Sequence, residues 1–145
     1  AARWVKDAKI QGGKGYRLTF DNNDTWSMKY NIVWDKLLGL NLFPESVFAE
    51  EVEVYKAKMN EYGVPLDSRS DYTKLDWLEW TTVMTDDRVY LHAVNNAIAK
   101  MISETIDRVP MTDWYYTSNG RLQVFQARSV VSGFFINLLK EKLSK

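Results

Sequence analysis

The regular spacing of apolar residues is the feature that most constrains what this chain can fold into. Two stretches carry apolar stripes with a large side chain at every third or fourth position: Phe48, Val52, Tyr55 and Met59, then Leu91, Val94, Ile98 and Met101. This spacing puts each stripe on one face of an α-helix, whereas a half-buried strand would show alternation. The pattern therefore predicts an all-α fold whose amphipathic helices share a core.

Capping residues and helix breakers set the expected limits of these helices. Pro44 and Glu45 suit the start of the first one, and Gly63 is expected to end it. The second is expected to begin at Thr85 and to form a hairpin with a shorter helix before it. Three further helical segments are expected: one ending near residue 9, one from Asp24 or Thr25 to Leu40, and a last one over Ala127–Leu143. The shorter helix has Asp71 or Thr73 as its expected cap.

Irregular segments separate the expected helices. Glycines within residues 12–15 predict a break, and the alternating residues 16–20 predict at most a short extended piece. Gly133 lies inside the last expected helix, where glycine costs stability, so it predicts a close approach of another element. No repeat or linker is visible, and residues 1–145 are expected to form a single helical domain. Without an initial methionine or signal sequence, the chain is interpreted as a fragment of a longer multi-domain protein.

The charge balance and the missing residue types exclude several function classes. Nineteen basic residues balance nineteen acidic ones, so we expect neither nucleic acid nor a membrane as partner. There is no cysteine, and His92 is the only histidine, which leaves too few ligands for a typical zinc site and little basis for a Ser-His-Asp triad. No phosphate-binding glycine loop is present. We therefore expect no metal and no cofactor.

The remaining chemistry lies in carboxylates, guanidinium groups and aromatic side chains, which form three patches in the sequence. The patches are Trp26–Asn31 with Asp35, Asp67–Lys74 with Asp76, and Thr112–Tyr116 with Gln126 and Arg128. Each patch lies at an expected helix start or in the loop before it, where free backbone N–H groups favour ligand sites.

An amino acid substrate would need an acidic partner for its ammonium group, an arginine for its carboxylate and a general base for water. Carboxyl groups buried beside tryptophan can acquire a raised pKa and act near neutrality. On this argument Asp67, Asp76 and Asp113 are the candidate catalytic residues. The candidate substrate-binding residues are Lys29, Tyr30, Arg69, Tyr72, Lys74, Trp80, Trp114, Gln126 and Arg128.

A simpler interpretation stands beside this one for every candidate. Each Asp can be a helix cap or the partner in a surface ion pair. The aromatic residues, 14% of the chain, can fill a helical core as well as line a pocket.

Several ordered blocks of sequence resemble the C-terminal half of glutaminase A-like proteins. The blocks are Lys29–Leu38, Asn41–Pro44, Gly63–Arg69, Tyr72–Lys74, Asp76–Trp77, Trp80–Thr81, Pro110–Tyr115 and Phe125–Val131. They cover nearly the whole chain in the family's order. Tyr116 and Ser132 stand where the family pattern has Asp and Gly, and Leu122–Val124 replaces a segment that contains glycine.

The resemblance implies hydrolysis of glutamine to glutamate and ammonia by a secreted or periplasmic protein. It also implies a partial (α/α) toroid of antiparallel helical hairpins, similar to the six-hairpin glycosidases. The expected partners are a small-molecule substrate and the remaining domains of the same chain, and the fragment by itself is expected to be inactive. Two alternatives stay open: a carbohydrate-active module of the six-hairpin glycosidase type, and a non-catalytic helical scaffold domain.

Overall fold

A computed structural model describes all residues 1–145 and contains six α-helices and one two-stranded sheet. The α-helices are α1 (Ala2–Ala8), α2 (Val33–Leu37), α3 (Glu45–Ala57), α4 (Leu75–Trp80), α5 (Arg88–Glu104) and α6 (Ile136–Leu143). The strands are β1 (Tyr72–Lys74) and β2 (Trp114–Tyr116). Short 3-10 segments cover Tyr30–Ile32, Thr81–Met84 and Ser129–Phe135. The chain is therefore mainly helical, as the apolar spacing predicts.

The two amphipathic stripes form the two longest helices, α3 and α5. Val52 and Tyr55 on α3 and Val94 and Ile98 on α5 belong to one core cluster with Leu78 of α4. Large aromatic side chains fill much of this core, and Tyr55, Tyr90 and Tyr115 are among its largest fully buried side chains. The core interpretation of the aromatic residues is thus confirmed for these positions.

The starts and ends of these helices differ from the expected ones in detail. Helix α3 ends at Ala57, so Met59 and Gly63 lie beyond it, and Gly63 occupies a turn with a φ of 127°. Helix α5 is capped by Asp87 and not by Thr85, because the Asp87 carboxylate accepts hydrogen bonds from the N–H groups of Val89 and Tyr90. Thr85 instead accepts a hydrogen bond from the N–H of Asp87.

The expected helix from Asp24 or Thr25 to Leu40 is wrong for its first half. The N–H of Met28 donates to Leu66 O at 2.8 Å, and Ser68 N–H donates to Trp26 O at 3.0 Å. These bonds hold residues 26–28 extended beside residues 66–68, so the helical turns begin only at Tyr30. A partner segment distant in sequence thus satisfies backbone groups that a helix would have bonded internally.

Two other predictions fail around the sheet and the last helix. Asp71 and Thr73 do not cap α4: Thr73 lies in β1, and the residue before α4 is Lys74 with no side-chain cap. Residues 129–135 form a 3-10 segment, and only Ile136–Leu143 are α-helical. The sheet itself, β1 antiparallel to β2, was not predicted, and residues 16–20 contribute only an isolated bridge between Tyr16 and Lys9.

The close approach predicted at Gly133 is confirmed. A β-carbon added there would lie 2.8 Å from Asp76 Cβ and 3.0 Å from Trp80 Nε1. The Trp80 indole N–H donates to Gly133 O at 3.0 Å. The 129–135 segment therefore lies directly on the face of α4 that carries Asp76.

Candidate functional site

The junction between β1 and α4 brings together four of the candidate residues, Lys74, Asp76, Asp113 and Trp114. In the sheet, Lys74 is opposite Trp114, and the N–H of Leu75 donates to Asp113 O at 2.7 Å. Strand β1 passes into helix α4 without a loop. Lys74 and Asp76 therefore lie close to β2 and to Asp113, the residue that precedes β2. The second and third sequence patches are thus brought together.

Asp113 lies between two cationic groups. Its Oδ2 accepts a hydrogen bond from Lys74 Nζ at 3.1 Å, and Arg128 Nη1 lies 3.7 Å from the same oxygen. The Asp113 side chain is fully buried and that of Lys74 is 10% exposed, whereas Arg128 is 37% exposed. Arg128 therefore connects the buried pair to the surface.

Aromatic rings surround the Lys74 ammonium group. Its Nζ lies 4.4 Å from the Trp114 ring centroid, 5.8 Å from that of Phe125 and 5.9 Å from that of Trp77. Phe125 stacks on Trp114 with 5.6 Å between centroids, and the Arg128 guanidinium lies 5.0 Å from Phe125. These cation–π contacts hold the cation in a site largely closed to water.

Asp76 is the carboxyl group whose environment favours proton exchange. Burial raises its pKa above the ordinary value, and repulsion from Asp113 raises it further against the hydrogen bond from the Trp77 N–H. A buried carboxyl group with a raised pKa can take up a proton closer to neutral pH.

Unpaired buried polar atoms are concentrated at this junction. Oδ1 of Asp76, Oδ1 of Asp113, Oγ1 of Thr73 and Nε1 of Trp114 have no hydrogen-bond partner, and the fifth such side-chain atom belongs to Glu79, one turn further along α4. Buried polar groups are normally paired, and a catalytic role is one of the reasons for which such a group stays without a partner. The junction is therefore the strongest candidate for a reacting centre.

A cleft of about 530 Å³ lies beside this junction. Trp77 and Tyr30 contribute to its lining, and their rings stack with 4.1 Å between centroids. Trp77 also faces Lys74, so the aromatic pair separates the cleft from the buried carboxyl groups.

Asp67 and Arg69 lie at the same cleft as a closed pair. Arg69 Nε and Nη2 donate to the two carboxylate oxygens at 2.9 and 2.7 Å. Burial by itself opposes ionisation of Asp67, but the hydrogen bonds from Arg69 outweigh it and lower the pKa of Asp67. The Arg69 side chain is 64% exposed, so the pair presents a cation at the cleft and keeps the carboxylate below it.

The ammonium group of Lys29 is hydrogen-bonded to oxygen atoms of the protein. Its Nζ donates to the carbonyls of Tyr16, Arg17 and Ser27 at 3.0 to 3.1 Å and lies 2.7 Å from Ser27 Oγ. Burial lowers the pKa of Lys29. The N–H donors of the Lys29 ammonium group thus already have protein acceptors. Its expected contact with a substrate stays a prediction.

The remaining candidates have structural partners as well. Gln126 Nε2 donates to Asp107 O and Pro110 O at 3.1 and 2.9 Å, and Trp80 Nε1 is bonded to Gly133. The Tyr72 ring meets the Trp114 ring edge to face at 5.3 Å. These residues shape the walls around the junction, and their contact with a substrate also stays a prediction.

The candidate residues predicted from the sequence do not include Trp77, Phe125 or the two buried glutamates, Glu51 and Glu79. Phe125 had a signal, because it directly precedes the candidate Gln126 in one of the sequence blocks that resemble the family. Glu51 also had one, since it lies on the buried α3 stripe between Phe48 and Tyr55. Burial raises its pKa to about 7.

Two further properties of the chain bear on its chemistry. No group of three or more histidine, cysteine or acidic side chains is arranged to hold a metal ion. None of the helices combines the length and the apolar character that crossing a bilayer requires.

Known proteins similar to this chain are glutaminases. Residues 1–138 match the sequence model of the glutaminase A six helical-hairpin domain. Glutaminase A of Aspergillus oryzae is 37% identical over 125 residues, which cover 84% of this chain and 18% of the relative. A probable glutaminase of Arthroderma benhamiae is 27% identical, with 97% of this chain and 20% of the relative covered. No solved structure gives a significant match.

The chain thus spans about a fifth of the length of these curated relatives. The family match runs through every element that builds the junction, from β1 to the segment that carries Gly133. The chain belongs to the glutaminase A six helical-hairpin family.

Proposed function

We propose that this chain supplies part of the active site of a glutaminase-type amide hydrolase, which converts glutamine and water to glutamate and ammonia. The observation that carries the proposal is the pair of buried carboxyl groups, Asp76 and Asp113, at the β1–α4 junction. Each has an oxygen without a hydrogen-bond partner. The cationic groups of Lys74 and Arg128 are both within ion-pair distance of the Asp113 carboxylate. The glutaminase relatives support amide hydrolysis as the reaction.

The chemistry of the junction suggests a role for each group. Asp76 takes a proton from water as the water oxygen adds to the side-chain amide carbon. The same proton is then passed to the nitrogen as the C–N bond breaks, and ammonia leaves. Arg128 is the partner for the substrate α-carboxylate, and the free oxygen of Asp113 accepts from its ammonium group.

The intact protein is proposed to complete this pocket with the rest of its chain. Exposed apolar side chains support such packing, and they include Leu38, Leu40 and Leu42. Because the Asp113 side chain is fully buried, we propose that the partly exposed Arg128 moves aside when a substrate binds. On the family resemblance, we further propose that the intact protein is secreted or periplasmic.

The test is ammonia release from glutamine by the intact protein and its Asp76→Asn and Asp113→Asn variants. Removal of the general base in Asp76→Asn is expected to lower kcat by a factor of about 10² to 10⁴. Asp113→Asn is expected to lower activity as well, and circular dichroism checks that both variants are folded, because this substitution leaves the buried Lys74 without its charged partner. Asp21→Asn, an exposed position, is the matched control and is expected to keep full activity. Full activity in both junction variants would contradict the proposed site.

A carbohydrate-active module is the second candidate, and one observation favours it. The cleft beside the junction is lined by aromatic rings, including those of Trp4, Tyr30 and Trp77, and such rings can stack on sugars. Two carboxyl groups are also the usual catalytic set of glycosidases. Hydrolysis of simple glycosides, with no ammonia release from glutamine, would select this function.

The scaffold alternative has less support. It requires all candidate acids to be in closed pairs, as Asp67 is with Arg69. Asp76 lacks such a partner and keeps an unpaired buried oxygen.

A further inference from the structure

A second cleft, of about 630 Å³, lies between α6 and the start of α5. It is lined by residues of α4, the 3-10 segment and loop that follow it, α5, the end of the 129–135 segment and α6, and none of them is a candidate residue of the β1–α4 junction. Its properties are therefore separate from the proposed glutaminase chemistry.

Glu79 of α4 is the buried acidic residue of this cleft. It is 2% exposed, and its Oε1 accepts a hydrogen bond from Asn137 Nδ2 at 2.7 Å. Its second oxygen, Oε2, has no partner. Asn137 is fixed by a further bond to Thr82 Oγ1 at 2.9 Å, so the amide holds the carboxyl group in one orientation. A buried oxygen without a partner is costly, and a hydrogen-bond donor from a ligand would remove that cost.

The other residues of the cleft favour a cation with an apolar part. Leu91, Phe134, Phe135 and Leu138 provide apolar surface. Two of the four acidic lining residues already have cationic partners, since Asp86 pairs with Lys140 at 3.0 Å and Asp87 pairs with Lys56. The charge of Glu141 is balanced by that of Arg88, which also lines the cleft. Glu79, with its unpartnered oxygen, is therefore the acidic group left to a ligand, and in its ionised form it favours a cation over an anion.

We propose that this cleft is a second binding site, which takes a small organic ammonium ion carrying a short apolar chain. The ammonium group donates to Glu79, and the apolar chain lies against Phe135 and Leu138. Burial raises the pKa of Glu79 to about 7, and a bound cation is expected to lower it by favouring the ionised form.

The probe for the experiment is n-butylammonium, and butan-1-ol serves as a neutral molecule of similar size. Binding is followed by the NMR shift of the Asn137 side-chain amide in the 145-residue chain above pH 7. A saturable shift with n-butylammonium is expected. Butan-1-ol is expected to bind at least about tenfold more weakly, since it lacks the charge that strengthens the hydrogen bond.

Two variants test the named contacts. Glu79→Gln is expected to weaken n-butylammonium binding about tenfold, because the amide removes the charge. Phe135→Ala, at an exposed position, is expected to weaken it by a smaller factor without affecting the fold. Glu61→Gln is the control, since it removes one acidic charge outside the cleft.

Three results would overturn the proposal. These are the absence of a saturable shift, equal binding of butan-1-ol, and unchanged binding in both Glu79→Gln and Phe135→Ala. None of the readouts depends on glutamine hydrolysis, so failure of this site and failure of the proposed function are distinguishable.

Discussion

At the scale of single residues, Gly133 sets how closely its segment approaches α4. The absence of a side chain lets its backbone reach the Asp76 β-carbon and accept the Trp80 indole hydrogen bond. Asp76 is buried partly for this reason, and its burial is the main cause of its raised pKa. A residue with no chemistry of its own thus shapes the environment of the proposed base.

We expect Gly133→Ala to destabilise the chain by about 1–3 kcal/mol, since the new methyl group would overlap Asp76 and Trp80 in a packed region. Urea unfolding followed by tryptophan fluorescence measures the change. Ser132→Ala, the exposed neighbour, is the control and should shift the free energy of unfolding by less than about 0.5 kcal/mol. Equal effects of the two substitutions would mean that the close approach is absent.

At the scale of elements, local signals and tertiary contacts determine different helix ends. Helix α5 begins where the Asp87 side chain can satisfy two free N–H groups, a purely local device. Helix α4 has no side-chain cap, and its start is defined by β1, which pairs with β2. Because the strand and the helix are directly joined, the sheet positions the side chains around Asp113.

Asp87→Ala is expected to lower the free energy of unfolding by about 1 kcal/mol through loss of the α5 cap. Asp87 also pairs with Lys56, so Lys56→Ala is the matched control for the ion pair. Lys56 also pairs with Glu53, and such partly exposed ion pairs contribute little, so the control should change stability by less than about half as much. Equal losses would assign the effect to the ion pair. Urea denaturation measures both variants.

At the scale of the whole molecule, buried glutamates couple stability to pH. Burial raises the pKa of Glu51 and of Glu79 to about 7, above the ordinary value of 4.5. Between these two pH values the folded state binds protons that the unfolded state has lost. Stability contributed by the neutral acids is therefore present at low pH and is lost as the pH rises towards 7.

The free energy of unfolding is expected to fall between about pH 4.5 and pH 7, by up to roughly 3 kcal/mol for each glutamate. Chemical denaturation across this range measures the slope. In Glu51→Gln the slope should be smaller, because one titrating group is removed. A slope identical to that of the unchanged chain would show that Glu51 does not titrate in this range.

The candidate site shows how far sequence reasoning reached at this scale. The patches that contain Asp76 and Asp113 were predicted as functional, and the fold brings these two residues together with Lys74 and Arg128. Lys29 and Gln126 share their residue types with such sites, yet their donors are used by backbone carbonyls. Residue type reveals what a group can do, whereas its partners depend on segments far away in the sequence.

The sequence by itself determined the helical character, the stripes of α3 and α5 and the close approach at Gly133, because each depends on spacing or on the nature of one residue. The sequence also identified the family, because blocks that resemble glutaminase A-like proteins occur along nearly the whole chain. Only the tertiary structure decided that residues 26–28 are extended and that β1 pairs with β2, because those backbone groups bond to distant partners. The same long-range contacts bury Asp76 beside Asp113, and burial is what gives an ordinary carboxyl group its unusual proton affinity.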